Sequence, residues 1–186
     1  KLMKVPDVGP ATIKALKEFK NFEAVEQELA FISRYRIDAL FITDKAYPHR
    51  LKHCSDAPVM LYHKGNTELN NQKVISIVGT RKATSYGKEF CDALIKAIAV
   101  YNPLIVSGLA YGVDAAAHKV SVENNLATVG VLAHGLDMLY PATHKALAEK
   151  MLDQGGLLTE FVSKTKLNPD LFPRRNRIIA GIADAT

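Results

Sequence analysis

Three glycine-bearing turns and one arginine-rich run hold most of the residues in this sequence that could bind a charged ligand or act on one. The first turn is Gly79-Thr80-Arg81-Lys82, followed by Ser85 and a run with helical spacing. Unpaired N–H groups at the start of a helix sit at the positive end of its dipole. A glycine turn with small hydroxyls and two cations in front of such a helix is a seat for a phosphate. Arg81 adds a planar fork of donors suited to phosphate. The plainer reading is a strand-to-helix turn with exposed cations.

The second turn is Ser107-Gly-Leu-Ala-Tyr-Gly-Val-Asp114, with His118 four residues on. Gly108 and Gly112 allow a close backbone approach, and Ser107 supplies a hydroxyl. Asp114 and His118 share a helix face. Such a pair could be catalytic, could bind metal, or could lock the helix to a neighbouring loop. The lock is preferred, because neither a third ligand nor a partnered nucleophile is evident. In the third turn, His134 to Pro141, Asp137 could receive a proton or hold the loop through backbone N–H groups, and the loop-holding role is the commoner for an Asp in such a turn. The last stretch is Thr159-Glu160 and then Phe172-Pro-Arg174-Arg175-Asn176-Arg177. Three arginines in four positions beside a phenylalanine combine cation with stacking surface, although one arginine could instead pair with Glu160.

The elements between these residues order them. Apolar runs at 74–78, 104–107, 127–133 and 156–159 read as strands. Runs at 88–100, 113–123, 142–154 and 177–183 read as helices. Short apolar strands alternating with helices predict a doubly wound, Rossmann-like α/β domain with a mostly parallel sheet. Ligands in such folds bind beyond the C-terminal strand ends, where all four stretches fall.

Ahead of that domain, residues 1–70 read as a small helical unit with a linker, and the boundary is set at 70/71. Residues 5–16 look like a helix-hairpin-helix turn, read as structural because Asp7 stands where a glycine is usual. Phe22, Val25, Leu29 and Ile32 have the spacing of a core-facing helix, and 37–42 could be a strand.

Composition narrows the classes. Hydrophobic residues make up 48% of the 186, enough for a core, and the net charge of +5 leans toward anionic partners. No apolar run approaches the ~20 residues of a membrane span, and no signal-peptide pattern appears. Cys54 and Cys91 have neither metal spacing nor a disulfide framework, which fits a reducing cytoplasm. Neither metal nor cofactor is expected. The start at Lys1 reads as a processed or shortened chain.

Taken together, the motifs resemble the DNA-processing protein A family, also called Smf, of bacterial natural transformation. The matching stretches are Gly79-Thr-Arg81 with Tyr86-Gly87, Ser107 to Asp114 with His118, Gly135-Leu-Asp137 with Tyr140-Pro141, and Phe172 to Ile179. The lead-in Tyr47-Pro48 and 58–66 also fits. The resemblance implies a Rossmann-like domain preceded by a sterile-alpha-motif-like helical domain. It implies single-stranded-DNA binding without strong sequence preference, protection of that DNA, loading of the RecA recombinase, and dimerisation. Single-strand binding carries over to Arg81 and Phe172, with Arg175 and Arg177 as neighbours. Val113, His134, Thr159 and His144 depart from the usual residues, but no glycine or cation of the site is lost. The family continues past the point matched by Thr186, so the chain reads as a piece of a longer protein.

The reading is a non-enzymatic recombination mediator. Arg81, Lys82, Arg174, Arg175 and Arg177 neutralise phosphates, with Asn176 beside them, and Phe172 stacks a base. Gly79, Gly108 and Gly112 let the backbone come close, Thr80 and Ser107 offer hydroxyls, and Asp114, His118, Asp137 and Glu160 support the site. The rival is a nucleotide hydrolase of the lysine-decarboxylase-like group, whose only visible candidates here are Asp114, His118 and Glu160.

Overall fold

The computed structural model describes residues 9–186. The chain divides into two units, Lys1–Tyr35 and Arg36–Thr186. The boundary expected at 70/71 therefore falls inside the second unit. The expected helix-hairpin-helix turn lies outside the described residues as far as residue 8.

The first unit, over its described part, is a pair of helices, α1 (Pro10–Glu18) and α2 (Phe22–Tyr35). Pro10 at the first position suits a helix start, where its missing N–H would have no partner. Neither helix has a buried residue. Phe22 is 61% exposed and Leu29 59% exposed, so the apolar stripe expected to face a core does not. Two helices alone bury little of an apolar face.

The second unit is built on a six-stranded sheet of order β1-β2-β6-β5-β4-β3. The strands are β1 (Asp38–Phe41), β2 (Met60–Gly65), β3 (Val74–Ser76), β4 (Leu104–Ser107), β5 (Thr128–Val131) and β6 (Gly156–Thr159). The last four run parallel. β2 joins β6 antiparallel, and β1 joins β2 antiparallel. Residues 38–65, expected in a helical domain and linker, thus extend the sheet by two strands.

Helices α4 (Ser85–Ile98), α5 (Val113–Glu123) and α6 (Lys145–Gln154) connect the parallel strands in turn. All four residues of β4, β5 and β6 are buried, as strands covered on both faces must be. Alternate residues feed opposite layers. Leu104, Val106, Val129 and Val131 pack with Leu51 of α3 (His49–Lys52) and with Ile178 and Ile179 of α7 (Leu171–Gly181). Ile105 packs instead with Cys91 and Ile95 of α4 and Ala117 of α5, and Leu157 with Met151 of α6. Burying one such side chain is worth ~1.5–3 kcal/mol.

One helix layer therefore holds α4, α5 and α6, and the other holds α3 and α7. Crossing on the second face, α7 returns the chain to the outer edge of β3, where Ala185 bridges Ile75 in parallel. The winding reverses at β3, and at such a reversal an open α/β sheet leaves a crevice beyond its strand ends. α7 begins at Leu171, six residues before the expected start, and takes in the whole arginine run.

Candidate nucleic-acid interface

Two loops meet at that crevice. The turn after β3 lies against the start of α5: a Cβ on Gly79 would stand 2.6 Å from Val113 Cγ2. Val113 N–H donates to the Thr80 carbonyl at 3.2 Å. Gly112 has φ +83°, and a Cβ there would stand 2.1 Å from that same carbonyl. Glycine at both positions is what lets the two loops interlock. Thr80 Oγ1 accepts from Lys82 N–H at 3.2 Å, which tightens the turn.

Thr84, which the sequence reading did not name, caps α4 by accepting from Gly87 N–H at 3.1 Å. Part of the helix-end donor set that was assigned to a phosphate is therefore used internally. Arg81 and Lys82 remain on the surface. The Arg81 guanidinium lies 5.2 Å from the centroid of the Phe172 ring, at the start of α7. Tyr140 packs edge-on to Phe172, with ring centroids 6.2 Å apart. Behind this cluster Arg81, Tyr140, Phe172, Leu167 and Pro169 line a depression of about 270 Å³.

The arginines of α7 part company. Arg175 is 4% exposed, and its Nη1 donates to the Gly108 carbonyl at 2.6 Å and to the Val131 carbonyl. Burial brings its pKa down to about 10; the Asp114 carboxylate opposes that fall and Arg81 adds to it. Arg175 is thus charged at neutral pH but enclosed. Arg174 and Arg177 both reach Glu160 Oε2, at 3.0 and 2.5 Å. Arg177 also donates to the Asp56 carbonyl. Of the three arginines expected to face phosphates, one is buried and two are tied to a carboxylate. Asn176 is exposed, and its Oδ1 accepts from Arg175 Nε at 3.2 Å.

Other expected site residues turn inward as well. Ser107 is fully buried and donates to the Ile77 carbonyl at 2.5 Å, joining β4 to the end of β3. Asp114 accepts from Ala110 N–H at 3.3 Å. His118 is fully buried, with Nδ1 2.7 Å from Thr128 Oγ1. Thr128 donates its own proton to the Ile105 carbonyl, which leaves His118 Nδ1 to donate to Thr128 Oγ1. Burial, helped by Arg175, pushes its pKa down to about 3. Asp114 and His118 share α5, yet each serves a different neighbour. Asp137 is exposed and folds over Gly135, where a Cβ would stand 2.6 Å from its Oδ1. Among the described residues no three His, Cys, Asp or Glu side chains gather as a metal ion requires.

Fold and rim together define a Rossmann-like α/β domain with a basic, aromatic-edged crevice at its winding reversal. Residues 38–186 match the family model for DNA recombination-mediator protein A, and the chain belongs to that family. It is 40% identical over 157 residues to the DNA processing protein DprA of Bacillus subtilis, covering 84% of this chain and 53% of the relative. It is 37% identical over 142 residues to the DprA of Streptococcus pneumoniae, covering 76% and 50%. The chain thus spans about half the length of these relatives. The X-ray structure of the S. pneumoniae protein superposes with a TM-score of 0.78 at 32% identity, over 94% of this chain and 60% of that one. A Helicobacter pylori DNA processing protein A, described for a single-stranded-DNA binding mode, superposes with a TM-score of 0.72 at 27% identity, over 82% and 68%. Among the described residues no helix is long and apolar enough to cross a membrane.

Proposed function

We propose that this chain binds single-stranded DNA, without strong sequence preference, at the rim formed by Arg81, Lys82 and Phe172. The observation that carries the reading is the exposed Arg81 guanidinium 5.2 Å over the Phe172 ring, at the mouth of the crevice. A cation and an aromatic face at one point suit a backbone phosphate and its neighbouring base, and every base offers a π-face. The relative described for its single-stranded-DNA binding mode supports single-stranded DNA as the ligand. The protein then acts as a cytoplasmic recombination mediator rather than an enzyme. It shields the strand, loads the RecA recombinase onto it, and works as a homodimer.

Fluorescent oligothymidine titrated at two salt concentrations tests the site. Binding should weaken with salt, by ~0.7 in the log–log slope for each phosphate neutralised. Arg81→Ala and Phe172→Ala should each weaken it for every sequence alike. Unchanged affinity in both variants would sink the assignment. RecA filament formation on the coated strand, measured with and without the chain, tests the mediator role. The rival hydrolase reading needs a free acid or base at the rim. Asp114, His118 and Glu160 are each held by other groups. Nucleotide turnover that Glu160→Gln abolishes would revive it.

A further inference from the structure

On the far side of Arg81 from Phe172 a second, larger feature opens. It is a groove of about 700 Å³ running between α4, α5 and α6. Its floor is made of small residues of α5, Ala115 and Ala116 behind Gly112. Its walls carry Lys82 and Lys88 from the α4 side, Lys119 from α5 and Lys150 from α6. With Arg81 that makes five cations, and the one carboxylate among the lining residues is Glu123. Glu123 is matched by Lys119 at 3.8 Å. Among the described residues, no carboxylate lies within ion-pair distance of Lys82, Lys88 or Lys150.

Tyr111 stands where the groove meets the rim, 46% exposed. Its ring and hydroxyl each have a neighbour. Thr143 Oγ1 donates to its hydroxyl at 3.3 Å, and its ring meets the edge of His144 at 5.1 Å. His144 is itself anchored, its Nδ1 donating to the Leu109 carbonyl at 3.0 Å. A small pocket of about 20 Å³ shares Arg81 and Tyr111 with this groove, and Arg81, Tyr140 and Phe172 with the depression at Phe172, so the groove and the rim adjoin.

We infer that the α4–α5–α6 groove is a second lane for the same nucleic-acid strand: Tyr111 receives a base, and Lys88, Lys119 and Lys150 receive successive phosphates. The inference rests on the single-strand reading of the rim. Lysines are mobile point charges that match a repeating polyanion rather than one fixed anion. An open groove without a buried polar side chain reaching into it gives no base selection. An aromatic beside the cations favours a nucleic-acid strand over an acidic peptide.

The test compares oligothymidines of ~6 and ~20 nucleotides, one near the short end of the ~4–16 nucleotides that single-strand binding domains cover and one beyond the long end. Wild type should bind the longer one more tightly and with the steeper salt slope. In Lys88→Glu/Lys150→Glu, both exposed positions, affinity for the longer oligomer should fall ~10-fold or more and its slope by ~1.4, leaving the shorter one unaffected. A 5-iodouracil placed along the longer oligomer should photo-crosslink to Tyr111. Equal wild-type affinity for both lengths, or a charge-reversed variant that keeps full affinity for the longer one, overturns the groove and leaves the rim reading intact. Wild type that binds neither length overturns the rim reading and the groove with it. A variant that loses only poly-glutamate binding makes the groove an acidic-partner site and overturns the nucleic-acid lane.

Discussion

Arg175 Nη1 donates to the Gly108 carbonyl across 2.6 Å, tying α7 to the end of β4 beneath the ligand rim. The same nitrogen reaches the Val131 carbonyl at the end of β5. One buried guanidinium therefore clamps two strand ends and the helix that carries Phe172. Its work is to hold the rim, whereas Arg81 stands on the rim itself.

Arg175→Ala should lower stability by about 3 kcal/mol or more. Each buried carbonyl left without a donor costs ~1–3 kcal/mol, and a cavity adds to that. Urea unfolding measures it. Arg81→Ala, at an exposed position, should leave the unfolding midpoint within ~0.5 kcal/mol of wild type while weakening oligothymidine binding. Equal stability losses in the two variants would contradict this division.

Gly108→Ala should destabilise by ~1–3 kcal/mol through overpacking. The new Cβ would stand 2.5 Å from Arg175 Nη2 and 2.6 Å from Asp114 Oδ2. Combined with Arg175→Ala, Gly108→Ala should cost less than alone, because the Arg175 part of the clash is gone and only the Asp114 contact remains. A double-mutant cycle reads that coupling, and additive losses would refute it.

Glu160→Gln should bind oligothymidine no more weakly than wild type. The Glu160 carboxylate, with a side chain only 5% exposed, draws in both Arg174 and Arg177. Neutralising it frees two cations next to the rim. Weaker binding in this variant, at unchanged stability, would mean that Glu160 itself meets the ligand.

Acid should destabilise the fold through histidine. The His118 pKa is about 3 in the folded chain against the ordinary 6.5, and burial lowers that of His63 too. An unfolded chain therefore takes up protons that the folded one refuses. Stability should be full above about pH 6.5 and fall toward pH 3, by up to ~1.4 kcal/mol per pH unit for His118. Urea midpoints at neutral and mildly acidic pH, for wild type and His118→Gln, measure this. A variant as acid-sensitive as wild type would exclude His118 as a source.

Much of this architecture is legible in the chain. Leu104–Ser107, Val113–Glu123 and Gly156–Thr159 begin and end where apolar patterning puts them. Each is a dense apolar run with glycine directly at one end. α7 was harder, because Pro173 reads as a break although it sits in the helix's first turn, where proline is tolerated. The fates of its arginines were not legible. Residues 174 and 177 are three apart and share a face, so both find Glu160; 175 is turned ~100° away, into the sheet. The run at 37–42 reads as a possible strand, but its place in the sheet is not legible: β1 pairs with β2, and β2 with β6 about a hundred residues on, which no local pattern reports. The basic groove escaped for the same reason: Lys88 and Lys150 meet only through the fold.

β3 is hydrogen-bonded on both sides. Leu104 N–H donates to the Lys73 carbonyl at 2.8 Å, while Asp184 N–H donates to the Val74 carbonyl at 2.7 Å and Ser76 N–H to the Ala185 carbonyl at 2.9 Å. The turn bearing Arg81 is therefore rooted in a strand that, although last in the sheet order, is hydrogen-bonded on both sides and does not end in a fraying edge. Ordering a backbone residue costs ~1–2 kcal/mol, and here folding has met that cost before any ligand arrives. The ligand meets a pre-organised receptor, so more of each contact it makes is left over as affinity.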